Sequence, residues 1–294
     1  MTTRDSYAAP RFSLFGRVMD ESHPAAPPPV GLLQESLRLA RFLTRLPLPV
    51  FAFEAAPHAP PDFDKAAPAL PLVGALVGVF CAGIGALAYL SGISTLLAAT
   101  LSVATGLIVT GGLHEDGFAD CCDGFFGGGT PERRLEIMRD SRLGTFGAAG
   151  LMFSLLIRVL ALAELFRLSG PAALLVLVGV AALARPLALA PALWLGPASA
   201  GGLARGVTMP GAGRAAVGMV LGLGLAMICA VPAELVPAMA LAGLAGFIGV
   251  YALSRLAADK IGGYTGDVFG AAEQLAEIIA LVVLSSAANW HGPV

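Results

Sequence analysis

The chain has 294 residues, 56% of them hydrophobic and only 13% charged, with a mean hydropathy of +0.79. An ordinary soluble domain carries roughly 25% charged residues, so this composition points to the membrane. The formal net charge of −2 excludes the basic surface of a nucleic-acid binder. Cys81, Cys121, Cys122 and Cys229 offer neither a disulfide framework nor, with His114, two ligand pairs at zinc spacing.

Residues 1–30 hold Arg4, Asp5, Arg11, Arg17, Asp20, Glu21 and Pro27-Pro28-Pro29. They lack the apolar core of a signal peptide and read as a disordered polar extension. Residues 31–294 read as a single helical membrane domain. Leu32, Leu33, Leu37, Ala40 and Leu43 recur at helical spacing with Arg38, Arg41 and Arg45 on another face, which predicts a helix lying at a membrane surface. It ends at Leu46-Pro47-Leu48-Pro49.

No charged residue occurs from Ala66 to Leu113, a length that admits two spans of about 20 residues, near 69–90 and 93–112. Further apolar stretches near 146–166, 171–195, 215–232, 235–254 and 274–290 complete the expectation: an all-α, polytopic membrane bundle of about seven transmembrane helices, within a range of six to eight. With the N-terminus inside, fifteen Lys and Arg fall on one side and only Arg167 on the other, Arg158 and Arg185 lying within spans. This asymmetry predicts that the polar loops face the cytoplasm from a cell (inner) membrane. Arg158 and Arg185 are functional candidates because a charge within a span is costly; Glu164 is a weaker partner for Arg158.

Three polar segments carry the chemistry. In Gly111-Gly112-Leu113-His114-Glu115-Asp116-Gly117-Phe118-Ala119-Asp120-Cys121-Cys122-Asp123-Gly124, Asp116, Asp120 and Asp123 share one helical face. Such a row of like charges repels unless a cation joins it, and hard oxygen ligands suit Mg2+. Next, Arg139-Asp140-Ser141-Arg142 offers arginines for phosphate oxygens and a further metal ligand in Asp140. Last, Gly262-Gly263-Tyr264-Thr265-Gly266-Asp267 has glycines that admit a phosphate or nucleotide and an acid placed to cap the final span, with Gln274 and Glu277 downstream.

Together with Phe42-Leu43-Thr44-Arg45-Leu46-Pro47, Pro71-Leu72-Val73-Gly74 and Ile137 to Gly147, these segments resemble the adenosylcobinamide-GDP ribazoletransferase, or cobalamin synthase, family from about Phe42 to Leu284. Glu115 stands where that pattern has an apolar residue, and Cys121-Cys122 replace small or hydroxyl residues. The resemblance implies a Mg2+-dependent transfer joining adenosylcobinamide-GDP to α-ribazole or its 5'-phosphate, with release of GMP. Asp116, Asp120, Asp123 and Asp140 would hold metal and, with Asp267, form the catalytic set. His114, Arg139, Ser141, Arg142, Gly262, Gly263, Thr265 and Gln274 would contact substrate. The expected partners are these small molecules and the bilayer, without nucleic acid, and the sequence leaves an oligomer open. Two other readings remain: a CDP-alcohol phosphotransferase, for which only Asp120 to Gly124 fits, and a transporter, whose acids should lie near mid-membrane.

Overall fold

The computed structural model describes residues 31–54, 56–198 and 208–291; the expected extension over residues 1–30 lies outside the described residues. Helix α1 (Leu32–Leu43) buries Glu35, Leu39, Ala40 and Leu43 and leaves Leu32 and Leu33 exposed, the one-sided pattern expected at a bilayer surface. Arg41 crosses to Glu54, with Nη2 to Oε1 at 2.9 Å, and ties the following loop back onto the helix. Helix α2 (Phe63–Ala66), capped by Asp62, runs through a tight 3-10 turn into α3 (Leu70–Leu90).

The segment expected as a span at 93–112 forms α4 (Thr95–Thr110). Sixteen residues rise only about 24 Å, short of a hydrocarbon core about 30 Å thick. Gly111 and Gly112 adopt left-handed backbone, φ 69° and 70°, and the acidic segment emerges as a helix of its own, α5 (Leu113–Gly127), turned by 91° from α4. Helix α6 (Pro131–Met138) starts with Thr130 as cap and Pro131 in its first turn. Then come α7 (Thr145–Ser169), α8 (Ala172–Ala188), α9 (Ala212–Ala230), α10 (Val236–Ile261) and α11 (Gly266–His291).

Two boundaries differ from expectation. Helix α10 continues past residue 254 to Ile261, because Arg255, Leu256, Ala257, Ala258 and Lys260 are good helix formers beyond the apolar stretch; Gly262, φ 76°, ends it. Helix α11 begins at Gly266, ahead of the apolar stretch at 274–290, and Asp267, expected as its cap, sits in its first turn. The cap is Thr265, whose Oγ1 accepts from the Val268 amide at 3.4 Å.

Among the described residues six helices are long and apolar enough to cross a membrane, seven if the bent α4–α5 pair counts as one span. Their outward faces carry exposed Phe80, Leu87, Met152, Phe153, Val220 and Ile248, an apolar surface far beyond that of a water-soluble monomer. The inner faces form one core around Leu162, Phe166, Met239 and Leu284. A second cluster, with Leu39, Phe63, Phe125, Met138, Val268 and Phe269, packs where α1, α5 and the start of α11 meet. Among the described residues the only β-type pairing is the isolated bridge between Pro197 and Tyr264.

Candidate active site

Helices α5 and α11 cross at glycine. A Cβ on Gly117 would lie 2.9 Å from both Cα and O of Asp267, and one on Gly270 would lie 3.2 Å from the His114 carbonyl oxygen. Without side chains at these points the backbones touch, and the first turn of α11 is delivered onto the acidic face of α5. Asp116 and Asp267 line one cleft, and the negative charges of Asp267, Asp116 and Asp123 all reach Asp120. Thr265 Oγ1 donates to Asp267 Oδ2 at 3.1 Å. Among the described residues, the side-chain carboxylate of neither Asp116 nor Asp120 has a hydrogen-bond or ion-pair partner. Placing such carboxylates together raises the energy of the free protein and favours any cation that joins them.

The other two acids of the expected metal set are engaged elsewhere. Asp123 is buried, and it accepts from the Gly144 amide at 2.7 Å through Oδ2 and from the Gly147 amide at 2.8 Å through Oδ1. It therefore caps α7 from a neighbouring helix, where amide donors and helix dipole both favour an anion. Asp140 pairs with Arg142, whose Nε lies 2.9 Å from Oδ1, and this hydrogen bond holds the Asp140 carboxyl down at about 2. Asp123, Asp140, Arg133, Glu136 and Arg142 line a separate cavity between α6 and the start of α7, with Arg139 and Ser141 exposed on the same loop. Among the described residues no three His, Cys, Asp or Glu side chains form a ready-made metal chelate.

Below the cleft lies a buried ionic network. Arg158 of α7 donates through Nη1 to Glu115 Oε1 at 3.0 Å and to Gln274 Oε1 at 2.7 Å, and its Nη2 lies 3.4 Å from Glu277 Oε2. Gln274 Nε2 donates to Glu115 and Glu273, Ser154 donates to Gln274, and Arg185 of α8 pairs with Glu273. Two guanidiniums and three carboxylates thus bind α5, α7, α8 and α11 together. Glu277 stands about 16 Å along α11 from its start, so carboxylates within the bundle meet the two arginines that the sequence places inside spans. Arg158 takes Glu115 and Glu277 as partners, whereas Glu164 pairs with Arg167 at the periphery.

Of the expected substrate contacts, His114 is buried beneath Asp116 and borders both the cleft and the network. Gln274 belongs to the network rather than to an open surface. Gly263 lies against the chain at Gly196 and Ala198, where the Tyr264 amide donates to the Gly196 carbonyl at 2.9 Å, so these glycines serve backbone packing as well as a turn. Sequence reasoning passed over Glu273, although its spacing of four from Glu277 placed both on one face of an otherwise apolar helix. It also passed over the cleft walls Phe42, Phe63 and Phe269, whose types are ordinary in a membrane protein.

Residues 36–285 match the family model described as cobalamin-5-phosphate synthase. A relative from Azorhizobium caulinodans, named adenosylcobinamide-GDP ribazoletransferase, is 44% identical over 251 residues, 85% of this chain and 95% of the relative. Relatives of the same name from Brucella ovis and Brucella canis are 37% identical, each over 86% of this chain and 97% of their own length. No solved structure matches. Matched over most of its length and carrying the acidic helix and glycine crossing within the matched region, the chain belongs to the cobalamin-5-phosphate synthase family and is a membrane-embedded transferase of late cobalamin assembly.

Proposed function

We propose that the protein joins adenosylcobinamide-GDP to α-ribazole or its 5'-phosphate, releasing GMP, at the junction of α5 and α11. The observation that carries this reading is the convergence of Asp116, Asp120 and Asp267, with the side-chain carboxylates of Asp116 and Asp120 lacking any hydrogen-bond or ion-pair partner among the described residues. Such a donor set fits Mg2+, which takes one or two carboxylates and completes its shell with water and substrate phosphate oxygens. Asp116 and Asp120 would hold the ion with Asp267 adjacent, whereas Asp123 and Asp140 organise the surrounding loops. Bound there, Mg2+ supplies charge neutralisation and polarisation for phosphoryl transfer.

The remaining work falls to the chain's own groups. Asp267, oriented by Thr265, stands where it would accept the proton of the ribazole hydroxyl. As that oxygen bonds to the cobinamide-side phosphorus, the bond from phosphorus to the GMP oxygen breaks and GMP carries away the electron pair. Arg142 and Arg133 border the second cavity and would meet phosphate oxygens as charge-assisted donors. The Asp140 carboxylate holds the Arg142 guanidinium through Nε and Nη2 at the edge of that cavity. The bias of Lys and Arg toward the loops at this end supports a cytoplasmic site.

Asp116→Asn and Asp120→Asn, purified in detergent, are each expected to lose at least a hundredfold in GMP release while remaining folded. Full turnover by either variant would contradict the reading.

A further inference from the structure

The cleft that Asp116 and Asp267 share is mostly apolar. It encloses about 820 Å³ including its open mouth, within the usual range for a small-molecule site. Phe42 of α1, Phe63 of α2 and Phe269 of α11 contribute aromatic rings, and Leu43, Leu70 and Leu189 fill the gaps between them. Phe42 and Phe63 meet edge to face, with centroids 5.8 Å apart. Phe63 and Phe269 are buried while Phe42 is 37% exposed at the rim. The polar groups, His114, Asp116, Arg185 and Asp267, come from α5, the end of α8 and the first turn of α11.

Resting on the function proposed above, we propose that this cleft seats the aromatic base of the acceptor nucleoside, with Phe42, Phe63 and Phe269 as its walls. A fused aromatic base with few hydrogen-bonding groups matches such walls, because burying it leaves almost no polar edge unsatisfied. Guanine has donors and acceptors around its rim and would leave several of them facing Phe and Leu. A lipid phosphate is disfavoured by the two carboxylates at the polar end. The corrin ring of the donor is too bulky for the enclosed volume. With the base between the rings, the ribose hydroxyls point toward Asp116 and Asp267, where the proton must leave. The donor phosphates then approach from the side of the Arg133 and Arg142 cavity. Helix α1 thereby gains a task beyond lying at the bilayer: it closes one wall of the substrate site.

The test uses the full-length protein in detergent, with separate titrations of ribazole and of the GDP-activated donor. Phe42→Ala is expected to raise the KM for ribazole about tenfold, leaving the donor KM and the saturated kcat within about twofold, and Phe42→Trp is expected to restore the ribazole KM. Direct titration calorimetry of ribazole without donor should show the same loss in Phe42→Ala. An unchanged ribazole KM, or an equal rise for both substrates, would overturn the assignment. So would a loss of GMP product inhibition with ribazole binding intact, because the cleft would then belong to guanine. If Phe42→Ala does not fold, Phe63→Leu is read by the same criteria. Absence of GMP release by the parent protein would refute the transferase reading itself, which separates the two failures.

Discussion

Removal of the Asp123 carboxylate separates a structural acid from a metal ligand. Its two oxygens accept from the Gly144 and Gly147 amides at 2.7 and 2.8 Å, and the residue is 8% exposed. Hydrogen bonds to a charged group contribute about 1.5–3 kcal/mol each, and loss of a helix cap costs about 0.5–2 kcal/mol. The two descriptions overlap, so Asp123→Ala is expected to cost about 3 kcal/mol. Asp123→Asn keeps one acceptor but turns an amide donor toward a backbone donor, and is expected to cost about 2 kcal/mol by the same reasoning. Reversible unfolding in detergent followed by far-UV circular dichroism gives the stability, and amide exchange at Gly144 to Gly147 localises the effect. Asp123→Ala within 0.5 kcal/mol of the parent, roughly the scatter of a neutral surface substitution, with protection unchanged in the first turn of α7, would refute the capping account.

Asp116→Asn should keep or raise stability, because it removes one of several facing like charges, while abolishing GMP release; a destabilised variant would show that Asp116 has a structural partner. Arg158→Met strands Glu115, Glu277 and Gln274 in the bundle and is expected to cost about 3–5 kcal/mol. Adding Glu115→Gln should recover part of that loss, and strict additivity in the double-mutant cycle would contradict the network. Gly117→Ala, whose Cβ would stand 2.9 Å from the Asp267 backbone, should cost about 1–3 kcal/mol and reduce kcat at least tenfold; normal kcat would show that the crossing need not be close. Glu54 is held down to about 2, first by its hydrogen bond from Arg41. Its carboxylate therefore adds stability above its ordinary 4.5 that is lost as pH falls toward 2. The stability difference between parent and Glu54→Gln should shrink over that window, and a constant difference would refute the pairing.

The membrane class and the helices were legible because apolar runs of span length have few other uses. The acidic face of α5 was legible because Asp116, Asp120 and Asp123 keep helical spacing. What sequence spacing does not carry is the partner of each acid. Asp123 and Asp140 resemble Asp116 and Asp120 in type and neighbourhood, yet Asp123 is bound by the Gly144 and Gly147 amides, contacts that exist only after α7 folds back on α5, and Asp140 is taken by Arg142 two residues on, a pairing that the sequence permits without demanding. The 91° turn at Gly111-Gly112 was hidden for a related reason: Gly-Gly permits a left-handed pair without demanding it. Arg158 and Arg185 announced a polar interior, but their carboxylates lie 43 and 88 residues away in the chain. The apolar stretch at 274–290 starts later than α11 because hydropathy marks only where apolar residues begin, and the cap is Thr265 rather than the expected Asp267, two residues further on.

The most direct test of the central claim is GMP release by the purified protein supplied with adenosylcobinamide-GDP and ribazole phosphate, with Mg2+ and with EDTA. The account predicts stoichiometric GMP and joined product with Mg2+, none with EDTA, and recovery when Mg2+ is restored. Equal turnover in EDTA, or no GMP under any of these conditions, would contradict it.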